Sequence, residues 1–219
     1  PLIRSHIGYV PSGLELYEEM TLHQFLHYFA LLKGELSGKQ VETIIDSANL
    51  SSVRHHKLKT LSLGQQQRAA IAQALLGSPS FLFMDEPLNY LDSLEQINML
   101  RLFHEASAHA CVVVATHELN VWDEDAIEAI LWMNRGMVKF YDRPDSWKYG
   151  LRKKVWIGIV TPDEHFPEHV TVSMRMLKDG QKEVRLIAEE QPDERFEQAE
   201  TTLEDAYFIR QRTQHIDLF

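Results

Sequence analysis

Two neighbouring segments carry most of the fold information in this chain: Leu61-Ser62-Leu63-Gly64-Gln65-Gln66-Gln67-Arg68 and Phe81-Leu82-Phe83-Met84-Asp85-Glu86-Pro87. The first is a polar turn that opens a helix, with a serine at the capping position. The second is an apolar strand that ends in two adjacent carboxylates. Its four unbroken apolar residues predict a strand buried on both faces, as in a parallel sheet.

A similar strand follows one helix later. Ser93 and Gln96 have the spacing of a helix-capping box, and the next apolar strand, Cys111 to Ala115, precedes Thr116 and His117. The helix between the two strands is predicted to bury Leu94, Ile97, Leu100 and Phe103. A strand, a helix and a strand in this order predict a doubly wound α/β fold.

The segment before these strands is predicted to be largely helical. Ile3 to Val10 has the apolar pattern of an edge strand, and Thr21 with Gln24 forms a capping-box pattern that Ser37 with Gln40 repeats. We therefore expect a helical subdomain at about residues 20–78, between the edge strand and the buried strands.

The pattern changes near Pro144 to Gly150. Beyond this point, apolar residues alternate with polar ones around Val155–Val160, 170–176 and 184–188, which predicts half-exposed strands, and a last helix begins at Thr201 or Thr202. We therefore divide the chain into residues 1–147, an α/β domain, and residues 148–219, a small α+β appendage.

Composition excludes several classes of protein. The chain has 219 residues, and none of its apolar runs approaches the ~20 residues of a membrane-spanning helix. Its 32 acidic and 22 basic residues give a net charge of −10, which disfavours binding to nucleic acid. Cys111 is the only cysteine, so no internal disulfide can form, and we expect it to be buried. The eleven histidines lack metal-ligand spacing.

The residues that follow the two strands suggest chemistry on a phosphate. In open α/β sheets, ligands bind at the carboxyl ends of the strands. There Asp85 can hold Mg²⁺, Glu86 can orient or deprotonate a water, and His117 can donate to a phosphate oxygen. Leu61 to Gln65 offers amide donors at a helix N-terminus, which is a site for an anion. Each feature alone is also typical of an ordinary strand end or helix cap.

The order and spacing of these motifs resemble the ATP-binding domain of ABC transporters. Leu61 to Gln65 is similar to the family's Leu-Ser-Gly-Gly-Gln signature, and Phe81 to Glu86 resembles its Walker B strand with the catalytic glutamate. Asn89 to Asp92 resembles the D-loop, and His117 the switch histidine. Ile7 to Pro11 resembles the segment before the Q-loop glutamine, and the last helix resembles that of exporter-type members.

The resemblance implies a fold, a cofactor and partners. The fold would be a P-loop NTPase-like layered α/β fold with a helical subdomain. ATP with Mg²⁺ would lie between two such domains, bound in trans by the signature residues Ser62, Leu63, Gly64 and Gln65, with Asp92 communicating across the interface. The partner domain would be an identical or a different ABC ATPase domain. A transmembrane permease would be the other partner, which would place the chain in the cytoplasm on the inner face of the cell membrane.

Three departures from the family pattern bear on activity. No Gly-x-x-x-x-Gly-Lys-[Ser/Thr] phosphate loop occurs in these residues, so the domain is expected to be incomplete at its N-terminus. A sheet without its P-loop strand should expose apolar surface and unpaired edges. Ser12 stands where the family has the Q-loop glutamine, and Leu63 stands at the first signature glycine.

Three functions remain open on the sequence. The chain can be most of the ATPase subunit of a transporter, with the P-loop upstream. It can instead be a non-catalytic module that donates its signature loop to an active partner, which Ser12, Leu63 and the missing P-loop favour. A soluble ABC ATPase acting on ribosomes or DNA ranks last, because the chain is acidic and shows neither a second ABC ATPase domain nor a long coiled coil.

Overall fold

The computed structural model describes residues 2–13, 17–35, 38–151, 153–167 and 171–216. The chain forms two compact units, Pro1–His117 and Glu118–Phe219. Among the described residues, no helix has both the length and the apolar composition needed to cross a membrane.

The first unit alternates helices with three short strands. In chain order these elements are α1 (Leu2–Ser5), β1 (Ile7–Val10), α2 (Leu22–Leu32), α3 (Lys39–Ser47), α4 (Leu63–Leu75), β2 (Phe81–Asp85), α5 (Ser93–Ser107) and β3 (Cys111–Ala115). Single 3₁₀ turns at Ser51–Val53 and Leu58–Thr60 connect α3 to α4. The predicted strand–helix–strand order of β2, α5 and β3 is confirmed.

The three strands form a parallel sheet in the order β1-β2-β3. Val10 pairs with Met84, and Met84 with Val114, so all three carboxyl ends lie at one edge of the sheet. Gly8 allows β1 to approach α4, since a Cβ there would lie 2.3 Å from the carbonyl oxygen of Ala74. Asp85, Glu86 and His117, three of the residues singled out in the sequence, lie at this edge.

Helices α2, α3 and α4 pack on one another and form the predicted helical region. The capping box of Thr21 and Gln24 is confirmed at the start of α2. The cap of α3 is Gly38, in a left-handed conformation and without a side-chain hydrogen bond, whereas Ser37 lies outside the described residues. Lys33, which follows α2, donates hydrogen bonds to the carbonyl oxygens of Ala74 and Leu76 and so ties α2 to the end of α4.

The prediction that the strands are buried on both faces is wrong. Leu82 and Met84 are buried, but Phe81 is 48% exposed and Phe83 is 39% exposed. Cys111 is exposed as well, and β3 alternates between exposed and half-buried residues. Within the described residues, nothing covers this second face of the sheet, and β3 pairs with a strand on one side alone. The expectation of exposed apolar surface and an unpaired edge is therefore the correct one.

Helix α5 also departs from the prediction. Asp92, not Ser93, is its N-cap, and the Asp92 carboxylate accepts a hydrogen bond of 2.9 Å from the amide of Glu95. Leu94 and Ile97 were expected in the core but are 77% and 64% exposed. The buried face of α5 instead carries Met99, Leu102, Phe103 and Ala106.

The second unit is built from antiparallel strands and two helices. In chain order its elements are β4 (Ile130–Asn134), β5 (Met137–Asp142), α6 (Pro144–Lys148), β6 (Lys154–Val160), β7 (Thr171–Met176), β8 (Lys182–Ala188), β9 (Phe196–Ala199) and α7 (Leu203–Ile216). β4 and β5 form a two-stranded pair, and the other strands form a sheet in the order β7-β8-β6-β9. The strands β6, β7 and β8 and the last helix confirm the predicted α+β pattern, whereas β9 was not predicted.

A helix covers one face of the four-stranded sheet, where Val155 and Ile187 pack with Ile209 of α7. On the other face, Trp156, Val184 and Phe196 pack with one another and with Phe166. The start of α7 is fixed by the hydroxyl of Thr202, which accepts a hydrogen bond from the amide of Asp205. The second unit therefore has a core of its own.

Candidate functional site

The site is assembled at the carboxyl edge of the parallel sheet. Ser12 comes two residues after β1 and is exposed. Asp85 ends β2 and Glu86 directly follows it, and Thr116 and His117 directly follow β3. Because β1, β2 and β3 are parallel and in register, these residues lie along one edge, as predicted.

The Glu86 carboxylate is held by three donors from the end of β3. One oxygen, Oε1, accepts from the His117 amide at 3.1 Å and lies 2.7 Å from His117 Nδ1. The other oxygen, Oε2, accepts from the Thr116 hydroxyl at 3.1 Å. The amide of Glu86 donates to the Ala115 carbonyl at 2.8 Å, so the β2–β3 pairing continues to the residue that carries the carboxylate.

This contact orients both side chains. A carboxylate can only accept, so the 2.7 Å contact places a proton on Nδ1 of His117. The carboxylate of Glu86 is largely shielded, with 21% of its side chain exposed, whereas 73% of the His117 side chain faces solvent. An imidazole fixed in this way can meet a phosphate or a water outside the sheet.

The start of α4 has the geometry predicted from its sequence. The Ser62 hydroxyl accepts from the Gln65 amide at 3.2 Å, and the Gln65 side chain accepts from the Ser62 amide at 3.0 Å. This reciprocal capping box leaves the hydroxyl proton of Ser62 able to point outward. Leu63 is 58% exposed at the first position of the helix. The N-terminus of α4 can therefore present amide donors and a hydroxyl to an anion.

Gly64 and Asp92 bring the signature helix and the D-loop together. A Cβ at Gly64 would lie 2.7 Å from the carbonyl oxygen of Tyr90, so only glycine fits without displacing this backbone. Asp92 follows and uses one carboxylate oxygen to cap α5. The residue predicted to communicate across an interface therefore also has a structural role.

Arg68 and Gln67 add contacts that the site prediction did not include. The guanidinium of Arg68 lies 2.7 Å from the carboxylate of Glu95. It also donates to the carbonyl oxygens of Ala48 and Asn49. Gln67 is 2% exposed. The one sequence signal for these two contacts is the spacing of residues 64, 67 and 68 along one face of a helix.

The carboxylates at the end of β2 suit a magnesium ion that is shared with a nucleotide. Among the described residues, no group of three or more histidines, cysteines or carboxylates is arranged to hold a metal. Mg²⁺ often takes one or two carboxylates and completes its shell with waters and substrate phosphates, so Asp85 fits this role. A fully protein-coordinated metal does not fit the described part of the chain.

Three comparisons with known proteins agree on a relationship. Residues 1–89 match the family model described as ABC transporter. The uncharacterized ABC transporter ATP-binding protein YxlF of Bacillus subtilis is 32% identical over 155 residues, which cover 69% of this chain and 50% of that protein. The chain spans about half the length of the curated relatives it matches.

Solved structures give the same answer for the fold. The structure described as a dimeric bacterial ABC transporter cassette has a TM-score of 0.58 and 30% identity, over 64% of each chain. A further structure of that cassette, described as a post-hydrolysis state bound to ADP and Pi, has a TM-score of 0.58 and covers 64% of this chain and 63% of its own.

Proposed function

Since the chain belongs to the ATP-binding domains of ABC transporters and shares their layered, P-loop NTPase-like fold, we propose that it is part of a transporter subunit that hydrolyses ATP to drive transport across a membrane. The observation that carries this proposal is the contact between Glu86 and His117 at the carboxyl edge of the sheet. It joins a carboxylate that can act on water to an imidazole that can act on a phosphate.

Each side chain at this edge has a distinct part in the proposed reaction. Glu86 orients the attacking water and accepts its proton. His117 donates to the γ-phosphate from Nε2 in the doubly protonated ring, because its Nδ1 proton is held by Glu86. Asp85 would hold Mg²⁺, which supplies positive charge against the phosphate oxygens. Ser12, at the Q-loop position, can reach this ion only through water because its side chain is short.

The N-terminus of α4 serves the nucleotide of a second ABC ATPase domain. Ser62 donates its hydroxyl proton to the γ-phosphate there, and the amides of Leu63 and Gly64 face the same anion. The Gln65 amide holds the Ser62 hydroxyl oxygen in place for this contact. Asp92 lies at the same surface, next to Gly64 through the D-loop. The exposed side chain of Leu63 limits how closely the phosphate approaches, which weakens this site relative to one with glycine.

The phosphate loop of the proposed site is not among these 219 residues. The free edge of β3 and the uncovered face around Phe81 and Phe83 support the proposal that a strand and helix carrying this loop complete the sheet. The remaining partner is a transmembrane permease, and the complex places the chain in the cytoplasm, on the inner face of the cell membrane. Nucleic acid is not proposed as a partner, given the net charge of −10.

Replacement of Glu86 tests the proposed reaction. In the transporter subunit that contains the phosphate loop, Glu86→Gln should lower ATP turnover by about 10²- to 10⁴-fold, because the general base is lost, and leave ATP binding in place. Glu105→Gln is the matched control, since Glu105 is exposed near the C-terminus of α5 in the same unit and has no part in the site. Turnover in Glu86→Gln equal to that of the control would show that this carboxylate is not the base.

A second candidate function is a non-catalytic module that donates its signature loop to an active partner. Ser12 and Leu63, at the two positions where the family pattern is broken, favour it, whereas the intact Glu86–His117 contact counts against it. The purified chain would then have no affinity for ATP but would stimulate the ATPase of a partner domain. Ser62→Ala should abolish this stimulation.

A further inference from the structure

One buried amide side chain has no part in the proposed reaction. Gln67 lies in the middle of α4, where it is 2% exposed. Its Nε2 donates to the carbonyl oxygen of Pro87 at 3.0 Å and lies 3.5 Å from that of Glu86. The partners of Gln67 are therefore the backbone of the turn that carries the Glu86 carboxylate.

This turn has a backbone that needs support from outside. Glu86 and Tyr90 both have positive φ, at 49° and 65°, which is uncommon for residues other than glycine. Such conformations persist where the surrounding structure holds them. Within the turn, the Asn89 amide donates to the Glu86 carbonyl and the Leu91 amide donates to the Leu88 carbonyl.

The first two turns of helix α4 contact this segment at three places. Gly64 packs against the carbonyl of Tyr90, Gln67 binds the backbone at Pro87, and Arg68 pairs with Glu95 at 2.7 Å. Positions 64, 67 and 68 are neighbours on one face of a helix, so a single rigid element makes all three contacts. The same helix begins at Ser62, the residue proposed to act on the partner's nucleotide.

We propose that Gln67 is a positioning residue for Glu86, through which α4 holds the signature loop and the catalytic carboxylate as one rigid unit. This inference rests on the proposed function, in which Glu86 acts on the nucleotide of its own chain and Ser62 acts on the nucleotide of the partner domain. A change in the position of Ser62 is then passed through Gln67 to the turn of Glu86. One chain thereby links its own nucleotide site to the site that it completes on its partner.

Two adjacent glutamines allow a matched test on this chain. Gln66 also donates its amide to backbone carbonyls, but to those of Leu58 and Leu61 and not to the turn. Gln67→Met and Gln66→Met both remove an amide of similar size and leave a carbonyl without its partner. Amide hydrogen exchange is measured by NMR in both variants, together with the resonance of the His117 amide, which reports its hydrogen bond to Glu86.

The inference predicts opposite patterns in the two variants. In Gln67→Met, the amides of Glu86 and Asn89 should exchange about 5- to 150-fold faster, the factor expected for losing a buried hydrogen-bond partner, and the His117 amide resonance should shift. In Gln66→Met, the Leu61 amide should exchange faster while Glu86, Asn89 and His117 stay unchanged. Equal changes in both variants, or an unshifted His117 resonance in Gln67→Met, would overturn the inference.

Catalysis gives a second and independent readout. In the subunit with its phosphate loop, Gln67→Met should lower kcat and leave the KM for ATP unchanged, because the nucleotide still binds but Glu86 is misplaced. Gln66→Met should leave kcat unchanged, and an equal loss of kcat in both variants would refute the positioning role. If the wild-type subunit has no ATPase activity, the proposed function fails, and the exchange pattern still decides whether Gln67 holds the Glu86 turn.

Discussion

Replacing Gly8 by alanine should destabilise the first unit more than most substitutions at exposed or half-buried positions do. A Cβ at Gly8 would lie 2.3 Å from the Ala74 carbonyl oxygen, 3.0 Å from the Ala74 carbonyl carbon and 2.8 Å from a methyl group of Leu82. Two of these three atoms are backbone atoms of α4, so relief requires β1 and α4 to move apart. Overpacking of this kind costs about 1–3 kcal/mol, and we expect the upper end, ~3 kcal/mol, because a backbone cannot change rotamer.

The matched control is Gly13→Ala, three residues after the same strand. Nothing lies within 4 Å of a Cβ at Gly13, and its φ is not in the left-handed region. In this variant the free energy of unfolding should rise by about 0.4–1 kcal/mol, because alanine reduces the conformational entropy of the unfolded chain. Urea unfolding of the two variants measures both effects, with the slope m expected to be the same. Equal midpoints for Gly8→Ala and Gly13→Ala would refute the close packing of β1 on α4.

Two further predictions concern helix ends and pH. Asp92→Ala should lower the free energy of unfolding by about 0.5–2 kcal/mol, because the cap of α5 is lost. Asp92→Asn should retain most of the stability, because asparagine also caps helices well. Chemical denaturation distinguishes the two variants, and equal losses of stability would exclude the capping role of Asp92. Burial lowers the pKa of Lys33 to about 8 from 10.5 in the unfolded chain. Between pH 8 and 10.5 the unfolded state therefore binds more protons, so stability should rise with pH, and this rise should be absent in Lys33→Met when melting temperatures are compared across that range.

Local signals in the sequence predicted helix starts well. Thr21 forms the capping box that its spacing to Gln24 indicates, and Ser62 is the predicted cap of α4, because capping hydrogen bonds join residues only three positions apart. The shift of the α5 cap from Ser93 to Asp92 is a local error of one residue. A carboxylate and a hydroxyl are both good caps, so the spacing to Gln96 could not decide between them.

Burial could not be predicted in the same way, since it depends on what covers each face. Phe81 and Val113 belong to apolar runs that are typical of strands covered on both sides, yet one face of this sheet is uncovered in the described residues. The same reasoning applies to Leu94 and Ile97 on α5. An apolar pattern shows which surface a chain tends to bury, but not whether the covering element is part of the same 219 residues.

The placement of the candidate site residues at one sheet edge could be predicted, whereas the side chains that support them could not. Glu86 and His117 are recognisable because each directly follows a strand, and parallel strands bring such residues to one edge. Gln67 and Thr116 hold that site through a hydrogen bond to a backbone carbonyl and one to a carboxylate, neither of which has a sequence spacing of its own. Their positions depend on the approach of α4 and β3 to the turn after β2, which is a property of the packed unit.

The overlap of caps and site residues affects how mutations at this site are interpreted. Ser62 caps α4 and Asp92 caps α5, while both are also proposed to face a nucleotide or a partner domain. An alanine at either position removes a cap and a proposed contact together, so a loss of activity alone does not identify the contact. A cap-competent replacement such as asparagine keeps the helix start and changes the chemistry that faces outward. Comparing the alanine and asparagine variants therefore separates the stability of the helix from the function of its first residues.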